Sequence, residues 1–132
     1  MLPEWERGTP AVLCVAGPHA IPVSSYVRAG DDRVVLALGS RRETLARLRA
    51  DPAAAFCVLG EGLAFTAHCR AAILLESLEC APGNTAVELR VARVQDHLAD
   101  GRTEILDGPS WRWADTEAAE LQPRILAELE RL

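Results

Sequence analysis

Hydrophobic and polar positions alternate along most of the chain, a pattern typical of β-strands that turn one face towards a core. In the first part of the sequence this alternation predicts three strands, at residues 12–16, 22–28 and 33–38. Turn-forming residues at 17–20 and 29–32 separate them. Because both connections have the length of hairpin loops, we expect the three strands to form an antiparallel meander.

The pattern changes to the period of a helix after residue 39. Ser40 and Glu43 have the spacing of a capping box, in which a serine and a glutamate cap the first turn reciprocally. Leu45 and Leu48 follow at helical spacing, and Pro52 disfavours helical backbone at the residue before it. We therefore expect one short helix, with Ser40 as its N-cap, that ends before Pro52.

The second half of the chain returns to the period of strands. We predict strands at residues 53–59, 63–75 and 85–97, and a further extended segment at 104–106. The alternation breaks at residues 92–94, which indicates a β-bulge. The chain therefore contains six or seven predicted strands.

The last part of the chain is helical in pattern. Asp115 precedes a short helical stretch that ends at Leu121, and Pro123 suits the first position of a second helix. A length of 132 residues gives room for one domain, which we take as 1–132. We predict a mostly β fold: an antiparallel barrel with one short inserted helix and a C-terminal helix.

Charge and composition exclude several classes of function. The formal net charge is −5, which argues against a nucleic-acid-binding protein. All 14 basic residues are arginine, so a Schiff-base lysine or a phosphate-loop lysine is impossible. The sequence has no apolar run long enough to cross a membrane and no pattern of a secretory signal. We therefore expect a cytoplasmic protein.

The sequence lacks the common catalytic and metal-binding motifs. It contains no nucleophile elbow, zinc-protease motif, dinucleotide-binding motif or phosphate loop. The four cysteines form no C-x-x-C pair, so we expect small buried side chains and no metal site. If the protein is a catalyst, a bound cofactor is expected to carry the reaction.

The most informative segment is the predicted junction between strand and helix at residues 38–45. There Gly39 leads into a helix start that carries Ser40, Arg41, Arg42 and Thr44. Backbone N–H groups and the positive end of a helix dipole favour an anion at such a place, and the two guanidinium groups add to this. The alternative is an ordinary helix cap with solvated arginines.

Three segments around this junction resemble the pyridoxamine 5'-phosphate oxidase-like family. They are Ile-Pro-Val-Ser-Ser-Tyr at 21–26, the run that begins Ser-Arg-Arg-Glu-Thr-Leu at 40–58, and the run that begins Gly-Leu-Ala-Phe-Thr-Ala-His-Cys at 62–74. The resemblance covers about residues 10–107. It implies a split β-barrel that binds flavin mononucleotide (FMN), with a homodimer in which two flavin sites lie between the subunits.

The resemblance also implies which residues contact the flavin. Its phosphate is expected near Ser40, Arg41, Arg42 and Thr44, and its ring along residues 23–27 and 37–39, which include Gly39. Thr44 and Arg47 stand where family members often have a lysine and an asparagine. These two differences leave open a barrel that has lost its cofactor.

Two further groups of residues are candidates for ligand contact. Ser24 and Tyr26 share one face of a predicted strand and Ser25 has the other, so only one set can reach a ligand. We favour Ser24 with Tyr26. Trp111 and Trp113 have two possible roles. We favour an apolar plug at the end of the barrel or a contact between the subunits of the dimer; the alternative is that they cover a planar ligand.

The sequence therefore predicts an FMN-dependent oxidoreductase of unknown substrate. The alternative is a non-catalytic dimeric module that binds a flavin, a deazaflavin or haem, or none of them.

Overall fold

The computed structural model describes all residues, 1–132, and consists of seven strands and two helices. In chain order they are β1 (Ala11–Val15), β2 (His19–Val23), β3 (Tyr26–Arg28), β4 (Arg33–Gly39), α1 (Glu43–Ala50), β5 (Ala53–Gly60), β6 (Leu63–Leu75), β7 (Asn84–Asp96) and α2 (Thr116–Glu130). The predicted mostly β fold with one inserted and one C-terminal helix is confirmed.

All seven strands form one antiparallel sheet, in the order β2-β1-β5-β6-β7-β4-β3. The predicted meander of the first three strands is wrong, because the segment 22–28 breaks at Ser24 and Ser25. Its first part pairs with β1 at one edge of the sheet, and its second part pairs with β4 at the other edge. Since only two residues join these edges, the sheet must curl until they meet, which makes a barrel.

The inward side chains fill this barrel with a core of aliphatic and aromatic residues. Phe56 and Phe65 are almost completely buried at its centre, on β5 and β6. Trp5 packs against both rings, with ring centroids 6.3 Å from Phe56 and 5.1 Å from Phe65. We expect the burial of these large apolar rings to be the main contribution to the stability of the barrel.

The long hairpin of β6 and β7 follows the sequence pattern closely. His68 pairs with Arg93 and Cys69 pairs with Val91, so Ala92 is an extra residue without a partner. The predicted bulge at 92–94 is therefore confirmed. The segment 104–106, in contrast, is not a strand: Leu106 is 79% exposed, and Ile105 makes a single backbone hydrogen bond to Gly62.

Helix α1 begins later than the capping-box pattern predicts. Its N-cap is Arg42, which makes no side-chain cap hydrogen bond. Residues 39–42 instead form a turn, closed by a hydrogen bond of 3.0 Å from the N–H of Arg42 to the carbonyl of Gly39. The predicted N-cap role of Ser40 is wrong, because its hydroxyl pairs with Thr85 on β7.

Helix α2 is one continuous helix, where the sequence predicts two. Asp115 caps it, as expected, by accepting a hydrogen bond from the N–H of Ala118. Pro123 lies inside the helix and leaves the carbonyl of Ala119 without its usual donor, but Ala119 is exposed to water. The packing of Ile125 against the sheet outweighs the preference of Pro123 for the first position of a helix.

Helix α2 covers the outer face of one half of the barrel. Ile125 and Leu129 pack on Val27 of β3, Val35 of β4 and Leu78 of the loop after β6. The helix therefore packs on its own barrel. Neither helix in the structure combines the length and the apolar surface that a bilayer crossing requires.

Candidate functional site

A cleft of about 320 Å³ opens on the surface where the two edges of the sheet meet. It exists because the chain leaves β2 at Val23 and enters β3 at Tyr26 without pairing fully to either neighbour. Its volume lies at the lower end of the range for small-molecule sites. The lining residues are Pro22, Val23, Ser24, Ser25, Ala37, Leu38, Gly39, Arg42, Asn84 and Trp113.

Ser24 and Ser25 form the floor of this cleft at the β2–β3 joint. Gln122 of α2 holds them from behind: it accepts a hydrogen bond of 2.8 Å from the Ser25 hydroxyl and donates one of 3.2 Å to the Ser24 carbonyl. The N–H of Ala37 donates to the Ser25 carbonyl. The Ser24 hydroxyl has no partner within the protein, so it is available to a ligand.

Gly39 and Arg42 form the end of the cleft beside α1. The Arg42 side chain lies across Gly39, where an added Cβ would be 3.3 Å from Cγ of Arg42. The side chains of Arg41 and Arg42 make no hydrogen bond and no ion pair, and both residues are exposed. A guanidinium group without a counter-ion, next to the uncapped first turn of a helix, is an environment that favours an anion.

The hydroxyl groups of Ser40 and Thr44 are engaged inside the protein. Ser40 Oγ lies 2.9 Å from Oγ1 of Thr85, which itself donates to the carbonyl of Glu76. Thr44 is buried, and its Oγ1 lies 2.9 Å from Nε2 of His19. Neither residue lines the cleft, nor does Arg41.

The start of α1 is fixed to the β1–β2 hairpin by two further contacts. Nδ1 of His19 lies 3.7 Å from the carboxylate of Glu43. Arg47 pairs with the same carboxylate at 3.0 Å and donates to the carbonyls of Ala16 and Gly17. Arg47 therefore holds the helix in place, and it draws the one acidic group of the first turn away from the cleft.

Tyr26 lies in the barrel interior and away from the cleft. Its ring packs at 5.1 Å on Phe56, and its hydroxyl accepts from Nε1 of Trp5 and donates to the carbonyl of Thr9. Burial raises the pKa of the Tyr26 hydroxyl, and the hydrogen bond from Trp5 lowers it to a smaller extent. The face that Ser24 and Tyr26 were predicted to share is interrupted, because the strand breaks between them.

Trp111 and Trp113 lie on the surface and not in the barrel core, where Trp5 packs against Phe56 and Phe65. Trp113 lines the cleft opposite the α1 end, and Trp111 packs edge-on against it with ring centroids 5.3 Å apart. Nε1 of Trp111 donates a hydrogen bond of 2.7 Å to the carbonyl of Gly8.

Sequence reasoning missed two residues of this site. Asn84 begins β7 directly opposite Gly39, and its side-chain amide donates weakly, at 3.3 Å, to the carbonyl of Ala81. Gln122 fixes the cleft floor from α2. The sequence carries no signal for either, because both are brought to the cleft by strand register and helix packing.

A larger depression, of about 480 Å³, lies between the β5–β6 turn and the segment 98–106. Its charged residues are Glu61 and Glu104, and no cation lines it. Its acidic lining therefore disfavours an anionic ligand. No group of three or more histidine, cysteine or acidic side chains is placed to hold a metal ion.

The chemistry of the smaller cleft suits a ligand with an anionic end and a planar ring. Arg42 and the first turn of α1 provide positive charge at one end, and Trp113 provides an aromatic wall. The Ser24 hydroxyl and the Asn84 amide add hydrogen-bonding groups between them. A flavin nucleotide has this combination of groups, so the residues present fit such a cofactor.

No protein-family model and no curated protein matches the sequence. Solved structures do resemble it. A proposed pyridoxamine 5'-phosphate oxidase of Listeria innocua superimposes with a TM-score of 0.55 at 13% identity, covering 67% of this chain and 88% of that chain. An F420 reductase gives 0.57 at 13% identity, covering 68% and 91%. An FMN-binding protein of Syntrophomonas wolfei gives 0.52 at 13% identity, covering 70% and 78%.

Identities this low show a common fold and leave the ligand open. The chain therefore has the β-barrel fold of the pyridoxamine 5'-phosphate oxidase-like proteins, as its sequence resemblance predicts.

Proposed function

We propose that the protein binds FMN in the cleft between β2, β3 and α1 and acts as a flavin-dependent oxidoreductase. The observation that carries this proposal is the guanidinium group of Arg42, which has no counter-ion and lies in the same cleft as Trp113. An exposed arginine without an acidic partner is often simply solvated, as Arg41 is, but Arg42 lines the cleft beside an aromatic wall, where its guanidinium group is placed to bind an anionic ligand.

The residues of the cleft have separate roles in this proposal. Arg42 binds the phosphate, with the N–H groups of the first turn of α1, and Arg41 adds positive charge nearby. Ser24 and Asn84 hydrogen-bond to polar atoms of the flavin. A bound flavin supplies hydride transfer, and the protein orients it, excludes water from one face and leaves the other to a substrate.

The engaged hydroxyls of Ser40 and Thr44 favour a second candidate. Two of the four side chains expected to hold the phosphate already bond to Thr85 and His19. With fewer free donors, the barrel is also suited to a weakly held flavin, as in a carrier without turnover, or to a deazaflavin. The likeness to an F420 reductase, whose cofactor is a deazaflavin, supports the deazaflavin as the ligand.

We further propose that two copies of the chain form a homodimer. The outer faces of β1, β2 and β5, which α2 does not cover, form what we term the uncharged face. Its residues are Val12, Cys14, Ala20, Pro22, Ala53, Ala55, Cys57 and Leu59. Val12 and Leu59 are 39% and 47% exposed on it. Neighbouring exposed apolar side chains without a charge among them are a feature of interaction sites.

The uncharged face reaches the cleft, because Pro22 belongs to both. A second copy packed there therefore adds a wall to a cleft that is shallow in one chain.

All four cysteines are free thiols, which agrees with the cytoplasmic location that we propose.

The absorption spectrum of the purified protein tests the proposed function. We expect a flavin spectrum as isolated or, after FMN is added to the colourless protein, saturable binding with one FMN per chain. Haem and a deazaflavin each absorb differently, so the same measurement identifies them. A colourless protein that leaves the fluorescence of micromolar FMN unchanged would refute the proposal.

A further inference from the structure

The segment between β7 and α2 carries two of the three tryptophans of the protein in exposed, irregular chain. Trp111 is 39% exposed and Trp113 is 37% exposed. Large aromatic side chains on a surface loop are unfavourable unless something covers them. Trp113 lines the cleft and Trp111 packs against it, so this exposed pair needs an explanation beyond the packing of this chain.

The loop holds the two indole rings in a fixed position. Where it passes β5, a Cβ added to Gly108 would be 3.1 Å from Cα of Gly60 and 3.1 Å from the carbonyl oxygen of Leu59, so the backbones are in close contact. Further along, Nε1 of Trp111 is anchored on the carbonyl of Gly8. Trp113 then rests on Trp111 with an interplanar angle of 77°.

Trp113 makes no hydrogen bond, and its only aromatic neighbour is Trp111, which it meets edge to face. It lines the cleft together with Gly39 and Ser24, which present backbone and a small side chain. The cleft thus has one aromatic wall, Trp113, which Trp111 supports. Its other lining residues include Gly39 and Ser24, which are small enough to let a ligand come close to the backbone. This is an arrangement that selects a flat ring over a ligand that has only a phosphate.

From this geometry we infer that Trp113 stacks on the ring of the bound flavin, and that Trp111 is a positioning residue that sets the orientation of the Trp113 ring. The inference rests on the proposed function and adds the residue that recognises the ring. It separates two parts of recognition: Arg42 binds the phosphate, and Trp113 binds the ring.

Titrations with FMN and with riboflavin test this separation, since the two ligands differ only in the phosphate. The variants are Trp113→Leu, which keeps apolar bulk without a ring, Trp113→Phe, which keeps a ring, and Arg42→Ala. We expect Trp113→Leu to weaken both ligands by the same factor, about 10-fold, in the range of stacking on an aromatic side chain. We expect Trp113→Phe to stay within about 3-fold of the wild type. Arg42→Ala weakens FMN alone.

Flavin fluorescence gives a readout that a purely structural role would not change. An indole in contact with the ring quenches the flavin, whereas a phenyl ring does not. The saturated Trp113→Phe complex is therefore expected to emit strongly although its affinity is preserved, and Trp111→Leu to emit at an intermediate level.

The outcomes distinguish the inference from the function on which it rests. If wild-type protein binds FMN and both Trp113 variants match it in affinity and emission, the stacking is refuted and the function stands. If the wild type binds neither flavin, the function fails and the inference fails with it. Thermal unfolding of each variant verifies that the barrel is intact.

Discussion

The hydroxyl of Ser25 donates a hydrogen bond of 2.8 Å to Oε1 of Gln122, which joins the β2–β3 joint to the C-terminal helix. The same amide group donates to the carbonyl of Ser24, so one side chain fixes both residues of the joint. This leaves the two neighbouring serines with different roles. Ser25 is part of the structure, and the Ser24 hydroxyl is free to contact a ligand.

Replacing each serine by alanine separates these roles. We expect Ser25→Ala to lower the free energy of unfolding by about 1 kcal/mol, because a partly buried hydrogen bond is lost, and to leave Gln122 without its donor. We expect Ser24→Ala to leave stability unchanged and to weaken FMN binding several-fold. Urea unfolding and FMN titration of both variants measure the two effects. Equal effects on binding would contradict the assignment.

Arg42 and Arg41 provide a matched pair for the phosphate site, since both are exposed and only Arg42 lines the cleft. Arg42→Ala removes a charged donor, which is expected to weaken FMN by about 10- to 100-fold, from a contribution of about 1.5–3 kcal/mol. Arg41→Ala is expected to weaken it by less than about 5-fold, through the loss of nearby charge alone. Isothermal titration at two salt concentrations measures both. If Arg41→Ala has the larger effect, the phosphate lies outside the cleft.

Glu128 of α2 accepts hydrogen bonds from the backbone N–H groups of Glu79 and Cys80, at 2.8 and 2.9 Å. Burial by itself raises the pKa of Glu128, but the N–H donors of Cys80 and Glu79 outweigh this effect, and the pKa is lowered from its usual value. A lowered pKa means that the ionised form stabilises the folded protein. The contact is thus fully effective above the unfolded pKa and is lost as the pH falls through the folded one.

Glu128→Gln is therefore expected to destabilise the protein by about 1–3 kcal/mol at pH 7. The difference from the wild type is expected to shrink as the pH falls below the usual pKa of a glutamate, about 4.3, and to vanish only below the lowered pKa of the folded state, where the wild-type carboxylate is protonated as well. Thermal unfolding between pH 3 and pH 7 measures this change. Glu120→Gln, at an exposed position of the same helix, is the control and is expected to follow the wild type. A constant difference at all pH values would refute the assigned charge effect.

Leu59 is the most exposed large side chain on the uncharged face, and it tests the proposed homodimer. Leu59→Glu places a charge in the contact, so we expect sedimentation to change from twice the mass of one chain to the mass of one chain. Leu106→Glu is the control, because Leu106 is 79% exposed and lies outside this face. FMN affinity is expected to fall with the dimer. A wild-type protein that is a monomer at micromolar concentration would exclude it.

The sequence was sufficient to predict the strands in which apolar and polar residues alternate strongly. The bounds of β5 and β6 were predicted almost to the residue, and so was the bulge at Ala92, because the apolar face of each strand is set by its own side chains. The break at Ser24 was missed, although two polar residues are adjacent there, because Val23, Ser25 and Val27 also fit one face of a single strand over residues 22–28. Only the closure of the barrel requires the chain to bend there.

That the junction at residues 38–45 binds a phosphate stays a prediction. Of the residues predicted to act there, Gly39 and Arg42 line the cleft, because a turn between strand and helix fixes them locally. Ser40 and Thr44 turn inward, since Thr85 and His19 reach them from distant parts of the chain. Hydrogen bonds between such distant residues have no signature in the local pattern.

The placement of the N-terminal strands on both edges of the sheet has a consequence for the order of folding. The hairpins of β5, β6 and β7 join strands that are neighbours along the chain, whereas Leu13 pairs with Phe56, and Leu36 with Val87. Closing such long loops is unfavourable until a central template exists. We expect amides of β5 and β6 to acquire protection from hydrogen exchange first during refolding. The seam at the ligand cleft would then be the last part of the molecule to form and the first to open.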